Sequence, residues 1–143
     1  MTTICYDHKT KTIAWDSRRT MDDIIADDSA QKMFERDGVK FWICGCVADE
    51  TRLIDYYFGC PKHEFKPDAN AFVLDNGELF SIGVTDEHEC WKEPIDSNYS
   101  IGSGMPWAIA ALDFGCSAKE AVKYAKTRDC KTGGKVHIYK IGD

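Results

Sequence analysis

The sequence predicts an α+β domain, with two stacked antiparallel sheets and helices packed outside them. Three observations lead there. Short β-rich runs recur in pairs around polar turns, the pattern of hairpins rather than of parallel strands joined by crossovers. Helical spacing surfaces in three places, once in mid-chain and twice near the end. The 143 residues are 43% apolar and 29% charged, which suits one soluble domain over residues 1–143 with a sizeable core.

The elements follow in order. Thr3-Ile4-Cys5-Tyr6 and Lys11 to Trp15 flank the polar turn Asp7-His8-Lys9-Thr10 and make a first hairpin. Thr20 to Ala30 is polar and acidic and reads as loop. Lys32 to Glu35 and Val39 to Cys44 flank Arg36-Asp37-Gly38 as a second hairpin. Within Val47 to Phe58, Leu53, Ile54, Tyr57 and Phe58 keep helical spacing, and Gly59 and Pro61 stop it. Cys60 to Asn70 reads as loop. Ala71 to Leu74 and Leu79 to Ile82 form a third hairpin around Asn76-Gly77. A polar stretch leads to Tyr99-Ser100-Ile101 and Gly102-Ser103-Gly104. Pro106 suits the first turn of a helix. Trp107 to Phe114 is apolar nearly all round, so that helix is expected to be buried on several sides, and Gly115 ends it. Ser117-Ala118-Lys119-Glu120 is a capping box. Ala118, Ala121, Val122 and Ala125 give the helix it opens an apolar stripe. Gly133-Gly134 precedes a closing strand, Lys135 to Ile141.

A net charge of −6 argues against a nucleic-acid backbone as partner. No apolar run approaches the roughly 20 residues that span a bilayer, so no membrane partner is expected. Seven cysteines without regular spacing, and no secretory signal, favour a reducing cytoplasm.

The chemistry begins at the N-terminus. Removing Met1 would leave Thr2 with a free α-amine beside its own hydroxyl, so one residue supplies nucleophile and base. An α-amine has an unperturbed pKa of about 7.7–8.0, near that of a useful base at neutral pH. Metal ligation is the competing chemistry. Cys60-Pro61-Lys62-His63 has ligand spacing, and Cys44 and Cys46 would face one way on a strand. Two such pairs must converge for zinc. Cys44 and Cys46 read better as small apolar residues at a buried strand end. No metal and no cofactor is expected. His88-Glu89-Cys90 reads as loop, Cys5 has no nucleophile context, and the four tryptophans read as core or interface.

Several motifs in order resemble the proteasome β-subunit family, including the HslV-type peptidases. The opening Thr2-Thr3-Ile4 is similar to that family's mature N-terminus. Asp16-Ser17-Arg18 resembles its Asp-Ser-Arg or Asp-Gly segment after the first hairpin, and Lys32-Met33-Phe34 falls where it places its catalytic lysine. Cys44 to Asp49 resembles its Ala-Gly-Gly-x-Ala-Asp turn. Ile101 to Gly104 resembles its Gly-Ser-Gly turn, and Thr127 to Gly134 its Arg-Asp-x-x-Ser-Gly-Gly stretch. The resemblance runs nearly end to end. Departures are a tighter first hairpin, shorter segments after the first helix and between Ser103 and Asp129, and Cys46 in place of a glycine.

The resemblance implies a four-layer αββα sandwich, the N-terminal-nucleophile hydrolase fold, and a threonine-type peptidase. In that scheme Thr2 Oγ attacks the peptide carbonyl and its α-amine takes the proton. Lys32 lowers the amine's pKa by like charge, and Asp16 holds Lys32. Ser103, Asp129 and Thr132 surround the amine, and the Gly45 N–H serves the oxyanion. Thr20 and Val47 would contact the substrate backbone. Arg19, Ala30, Ile43 and Val47 would line a pocket that takes an apolar side chain, or an acidic one if Arg19 points inward. Without the motif order, Asp16 and Lys32 read as a surface ion pair. Ser103, Asp129 and Thr132 likewise read as turn chemistry. The implied partners are a peptide or unfolded protein as substrate, further copies in a homo-oligomer or ring, and an ATPase unfoldase. The rival readings are a catalytically silent, proteasome-like assembly subunit and an amidase acting on a small molecule.

Overall fold

A computed structural model of the chain describes residues 2–59 and 65–142. The expected removal of Met1 and the Cys60–His63 ligand spacing therefore lie outside the described residues. The contacts divide the chain into two compact units. One joins both ends of the chain, residues 1–32 and 96–143, and the other is residues 33–95.

The first unit carries β1 (Thr3–Asp7), β2 (Thr12–Trp15), β10 (Tyr99–Gly102) and β11 (His137–Lys140). They form one antiparallel sheet in the order β10-β1-β2-β11. Helices α2 (Met105–Asp113) and α3 (Ala118–Lys126) cover one face. Alternation places Cys5 and Ala14 on that face, where they pack with Ala108, Leu112, Ala121, Val122 and Ala125. Small side chains on both surfaces bring helix and sheet close. Ile4, Tyr6, Ile13 and Trp15 point to the opposite face and are buried as well.

The predicted stripe on α3 is buried at all four positions, and the capping box is present with both of its bonds. Helix α2 departs from expectation. Its buried residues are Ala108, Ala111 and Leu112, along one face, while Met105 and Phe114 are exposed, Phe114 at 92%. An apolar composition all round permits burial on several sides but does not supply the neighbours that would cover them.

The stretch from Thr20 to Ala30 is not loop throughout. It contains a small hairpin of β3 (Arg19–Met21) and β4 (Ile24–Asp27), with Asp22 at the turn in the left-handed region. Its strands are largely exposed, so no apolar alternation marks them.

The second unit is a five-stranded antiparallel sheet in the order β5-β6-β7-β8-β9. Its strands are β5 (Met33–Arg36), β6 (Val39–Gly45), β7 (Ala69–Asp75), β8 (Glu78–Val84) and β9 (Cys90–Pro94). A 3-10 turn at Val47–Asp49 leads into α1 (Glu50–Tyr57). Leu53, Ile54 and Tyr56 of α1 pack on Phe41, Ile43, Val73, Ile82 and Val84. Strand β9 lies within the polar stretch before Tyr99, and it begins at Cys90, inside the His88-Glu89-Cys90 segment read as loop. It is an edge strand with Lys92, Glu93 and Pro94 exposed, a composition that blunts an edge and hides its strand character.

Each unit is thus an antiparallel sheet with helices on one face, in keeping with the α+β expectation. Among the described residues no helix is long and apolar enough to cross a membrane. Their six cysteines are all free thiols.

Candidate functional site

The first unit gathers Thr2, Asp16, Lys32, Ser103, Asp129 and Thr132. The strand register explains how. Ile4 pairs with Trp15, so the residues just outside that pair, Thr3 and Asp16, meet at the end of the two central strands. The Thr3 N–H donates to Asp16 Oδ1 at 3.1 Å, and the Asp16 N–H donates to Thr3 O at 3.3 Å. On the other side Thr3 pairs with Gly102, which brings Ser103 alongside Thr2.

Asp16 is fully buried and accepts from four donors. Lys32 Nζ donates to Oδ1 at 2.7 Å, beside the Thr3 N–H. The N–H groups of Gly133 and Arg18 donate to Oδ2 at 2.9 and 3.2 Å. Its acceptor capacity is filled, which offsets the cost of burying the charge. Lys32 is 6% exposed, and its ammonium also donates to Thr2 Oγ1. Thr2 is 3% exposed. A buried ammonium thus bridges a buried carboxylate and a threonine hydroxyl.

A second network adjoins the first. The hydroxyls of Ser103 and Thr132 both donate to Asp129 Oδ2 at 2.6 Å. Thr132 has spent its proton, so the 2.6 Å contact between Thr3 Oγ1 and Thr132 Oγ1 must have Thr3 as donor. Ser103 Oγ also lies 3.5 Å from the Thr2 carbonyl oxygen. Burial raises the Asp129 pKa, but the donors from Ser103, Thr132 and the Lys131 N–H outweigh it and leave it below the ordinary carboxylate value.

Gly102 makes the approach to Thr2 possible. Its φ is +99°, and a Cβ there would run into the Thr2 carbonyl.

The substrate-side residues are distributed differently. Arg19 and Thr20 stand on β3, and Arg19 is exposed with its guanidinium 3.6 Å from Asp27. Ala30 is partly buried and its N–H donates to Ser17 O at 2.9 Å. Gly45, Ile43 and Val47 belong to the second unit. Gly45 ends β6 with φ +123°, and a Cβ there would strike the Asp68 carbonyl and Ala69. Val47 is 48% exposed. Ile43 is 2% exposed and packs in the core cluster with Leu53 and Ile54 of α1. Cys44 is buried, with its thiol 2.9 Å from Asn70 Oδ1. Cys46 lies past the strand end and is exposed, so the two do not share a strand face, and only Cys44 is a buried strand-end residue. Among the described residues no group of three or more His, Cys, Asp or Glu side chains is placed to hold a metal ion.

Sequence reasoning missed four participants. Thr3 is completely buried in the hydroxyl chain. Arg18 makes two bonds to Asp28, at 2.8 and 3.1 Å, and one to Cys130 O at 3.0 Å. Ser17 and His137 meet at 3.0 Å. The available signal was polar residues clustered at the end of an otherwise apolar hairpin, a pattern that turns also produce.

No protein-family model matches the chain, and no curated protein matches it by sequence. Solved structures do match. The chain is similar to Thiobacillus denitrificans BPH in complex with epoxomicin, at 15% identity and a TM-score of 0.72, covering 99% of this chain and 100% of that one. Another BPH structure from the same organism gives 16% identity, a TM-score of 0.70 and 96% of both chains. Eukaryotic HslV from Trypanosoma brucei gives 22% identity and a TM-score of 0.69, covering 96% of this chain and 98% of that one. The fold is that of the HslV and proteasome class, as the motif order led one to expect.

Proposed function

We propose that this chain is a threonine-type peptidase of the proteasome/HslV class, acting as one domain. After removal of Met1, Thr2 Oγ attacks a peptide carbonyl and the Thr2 α-amine accepts its proton. The C–N bond breaks as the leaving amine takes that proton back. Water then hydrolyses the Thr2 ester and restores the hydroxyl. The observation that carries this reading is the buried Lys32 ammonium, held by Asp16 at 2.7 Å and donating to Thr2 Oγ1. An ammonium so placed opposes protonation of a neighbouring α-amine and keeps it a base.

Asp129 holds the Ser103 hydroxyl near the Thr2 carbonyl and the Thr132 hydroxyl against that of Thr3, and by the resemblance the three surround the Thr2 amine. The Gly45 N–H serves the oxyanion, while Thr20 and Val47 bind the substrate backbone. By the resemblance, Arg19, Ala30, Ile43 and Val47 receive the substrate side chain, an apolar one or, with Arg19 turned inward, an acidic one. The substrate is a peptide or an unfolded protein. The setting is cytoplasmic, with assembly into a homo-oligomer and delivery of chains by an ATPase partner, both by analogy with the class.

Intact mass before and after treatment with a peptide epoxyketone tests the reading. The expected result is a chain lacking Met1 that gains one adduct, and no adduct on Thr2→Ala. A chain that keeps Met1 and gains no adduct would overturn it and favour a silent, proteasome-like subunit.

A further inference from the structure

Ser17 is 1% exposed and sits next to Asp16, yet the proposed chemistry gives it no part. Its backbone joins two segments of the site. The Ser17 N–H donates to Gly133 O at 3.0 Å, and Ser17 O accepts from Ala30 N at 2.9 Å, two residues before Lys32. Gly133 in turn donates its own N–H to Asp16 Oδ2 at 2.9 Å. Whatever fixes Ser17 therefore fixes a donor to Asp16 and the chain leading into Lys32.

The Ser17 side chain is fixed from β11. Its hydroxyl donates to Lys135 O at 2.6 Å. A carbonyl only accepts, so that bond uses the hydroxyl's one proton. His137 Nε2 lies 3.0 Å from the same oxygen and must then be the donor. The His137 ring is stacked on Trp15, 5.6 Å between centroids and 24° between planes, and His137 pairs with Trp15 in the β2–β11 ladder. Ladder, stack and N–H together aim the imidazole at Ser17. The neutral Nε2–H tautomer and the imidazolium both supply this donor.

We infer that His137 is a positioning residue for the Asp16–Lys32 pair, acting through Ser17 and the Gly133 loop. This rests on the peptidase reading for its catalytic consequence. His137 touches neither substrate nor the reacting atoms. It holds the Ser17 hydroxyl, and Ser17 holds Gly133 against Asp16.

The test uses His137→Phe, which keeps an aromatic ring for Trp15 but removes the N–H, and His137→Gln, which retains an N–H donor. Ser17→Ala and the Ser17→Ala/His137→Phe pair complete a cycle. Two readouts are taken well below the unfolding temperature: the rate of Thr2 acylation by a peptide epoxyketone, and hydrogen exchange at the Gly133 amide. Losing one neutral hydrogen bond should slow acylation by about three- to tenfold in His137→Phe and speed Gly133 exchange by a similar factor. His137→Gln should recover most of both. The double variant should be no slower than Ser17→Ala alone, because His137 acts only through that hydroxyl.

Additive effects in the double variant would overturn the proposal. So would His137→Phe matching wild type in both readouts. If wild type itself forms no Thr2 adduct, the peptidase reading falls. Gly133 exchange then still decides whether His137 and Ser17 are coupled.

Discussion

Lys32 Nζ stands 2.7 Å from Asp16 Oδ1, with both side chains buried. The partners are not equally anchored. Asp16 also accepts the N–H groups of Thr3, Arg18 and Gly133, so it keeps three donors when the lysine is lost. Removing Asp16 leaves those three N–H groups without this acceptor and the ammonium without its counter-charge. Breaking a buried pair costs roughly 3–5 kcal/mol. Lys32→Met should fall at the low end and Asp16→Ala at or beyond the high end, compared by urea unfolding. On the proposed mechanism, Lys32→Met should nonetheless slow Thr2 acylation by about a hundredfold or more, because the amine would lose the charge that keeps it a base. A Lys32→Met protein less stable than Asp16→Ala would place the anchor on the wrong residue.

Asp129 sets an acid limit. Its folded-state pKa lies below the ordinary value: burial works against ionisation, and the hydroxyls of Ser103 and Thr132 more than offset it. A carboxyl with a depressed folded pKa contributes its full stability above the unfolded value, about 3.9. It loses that contribution as pH falls through the folded value. Wild type and Asp129→Asn should therefore differ most in unfolding free energy near pH 6–7, and the gap should narrow steadily below about pH 4. A gap that stays constant down to pH 2 would remove Asp129 ionisation as its source.

The elements read most easily from the sequence are those whose turns carry their own instructions. Asn76-Gly77 announced β7 and β8, and Ser117 with Glu120 announced α3. Asp16 and Lys32 are legible only through the order of motifs, since an aspartate and a lysine 16 residues apart carry no spacing signal of their own. What stayed hidden lacks an apolar pattern or spans long separations. Met21, Ile24 and Ile25 are exposed among aspartates, so the β3–β4 hairpin has no buried face to advertise it. The Ser17–His137 bond joins residues 120 apart, and a serine at a strand end reads equally well as a turn former.

The thiols should sort by environment. Burial, reinforced by Asp7, pushes the Cys5 thiol up to about 12, and it donates to Ala118 O at 3.3 Å. Cys46 and Cys130 are exposed. The thiolate is the reactive species, so a disulfide reagent at pH 8 should label Cys46 and Cys130 and spare Cys5 until the protein unfolds. Peptide mapping after brief labelling reads this directly. Labelling of Cys5 at the rate of Cys130 would mean that the helix-covered face of β1 opens in the native state.

Gly102 and Gly115 share a backbone conformation but not a neighbourhood. Their φ angles are +99° and +93°, so alanine is strained at both. A Cβ on Gly115 meets no atom within 4 Å, whereas one on Gly102 runs into the Thr2 carbonyl. Gly115→Ala therefore isolates the backbone cost, about 1–3 kcal/mol in unfolding free energy. Gly102→Ala adds the displacement of Thr2 from Lys32. Both variants should lower the melting temperature, but only Gly102→Ala should also stop epoxyketone capture at temperatures where the protein remains folded. Capture at the wild-type rate in folded Gly102→Ala would show that the Thr2 hydroxyl does not depend on how closely β10 approaches it.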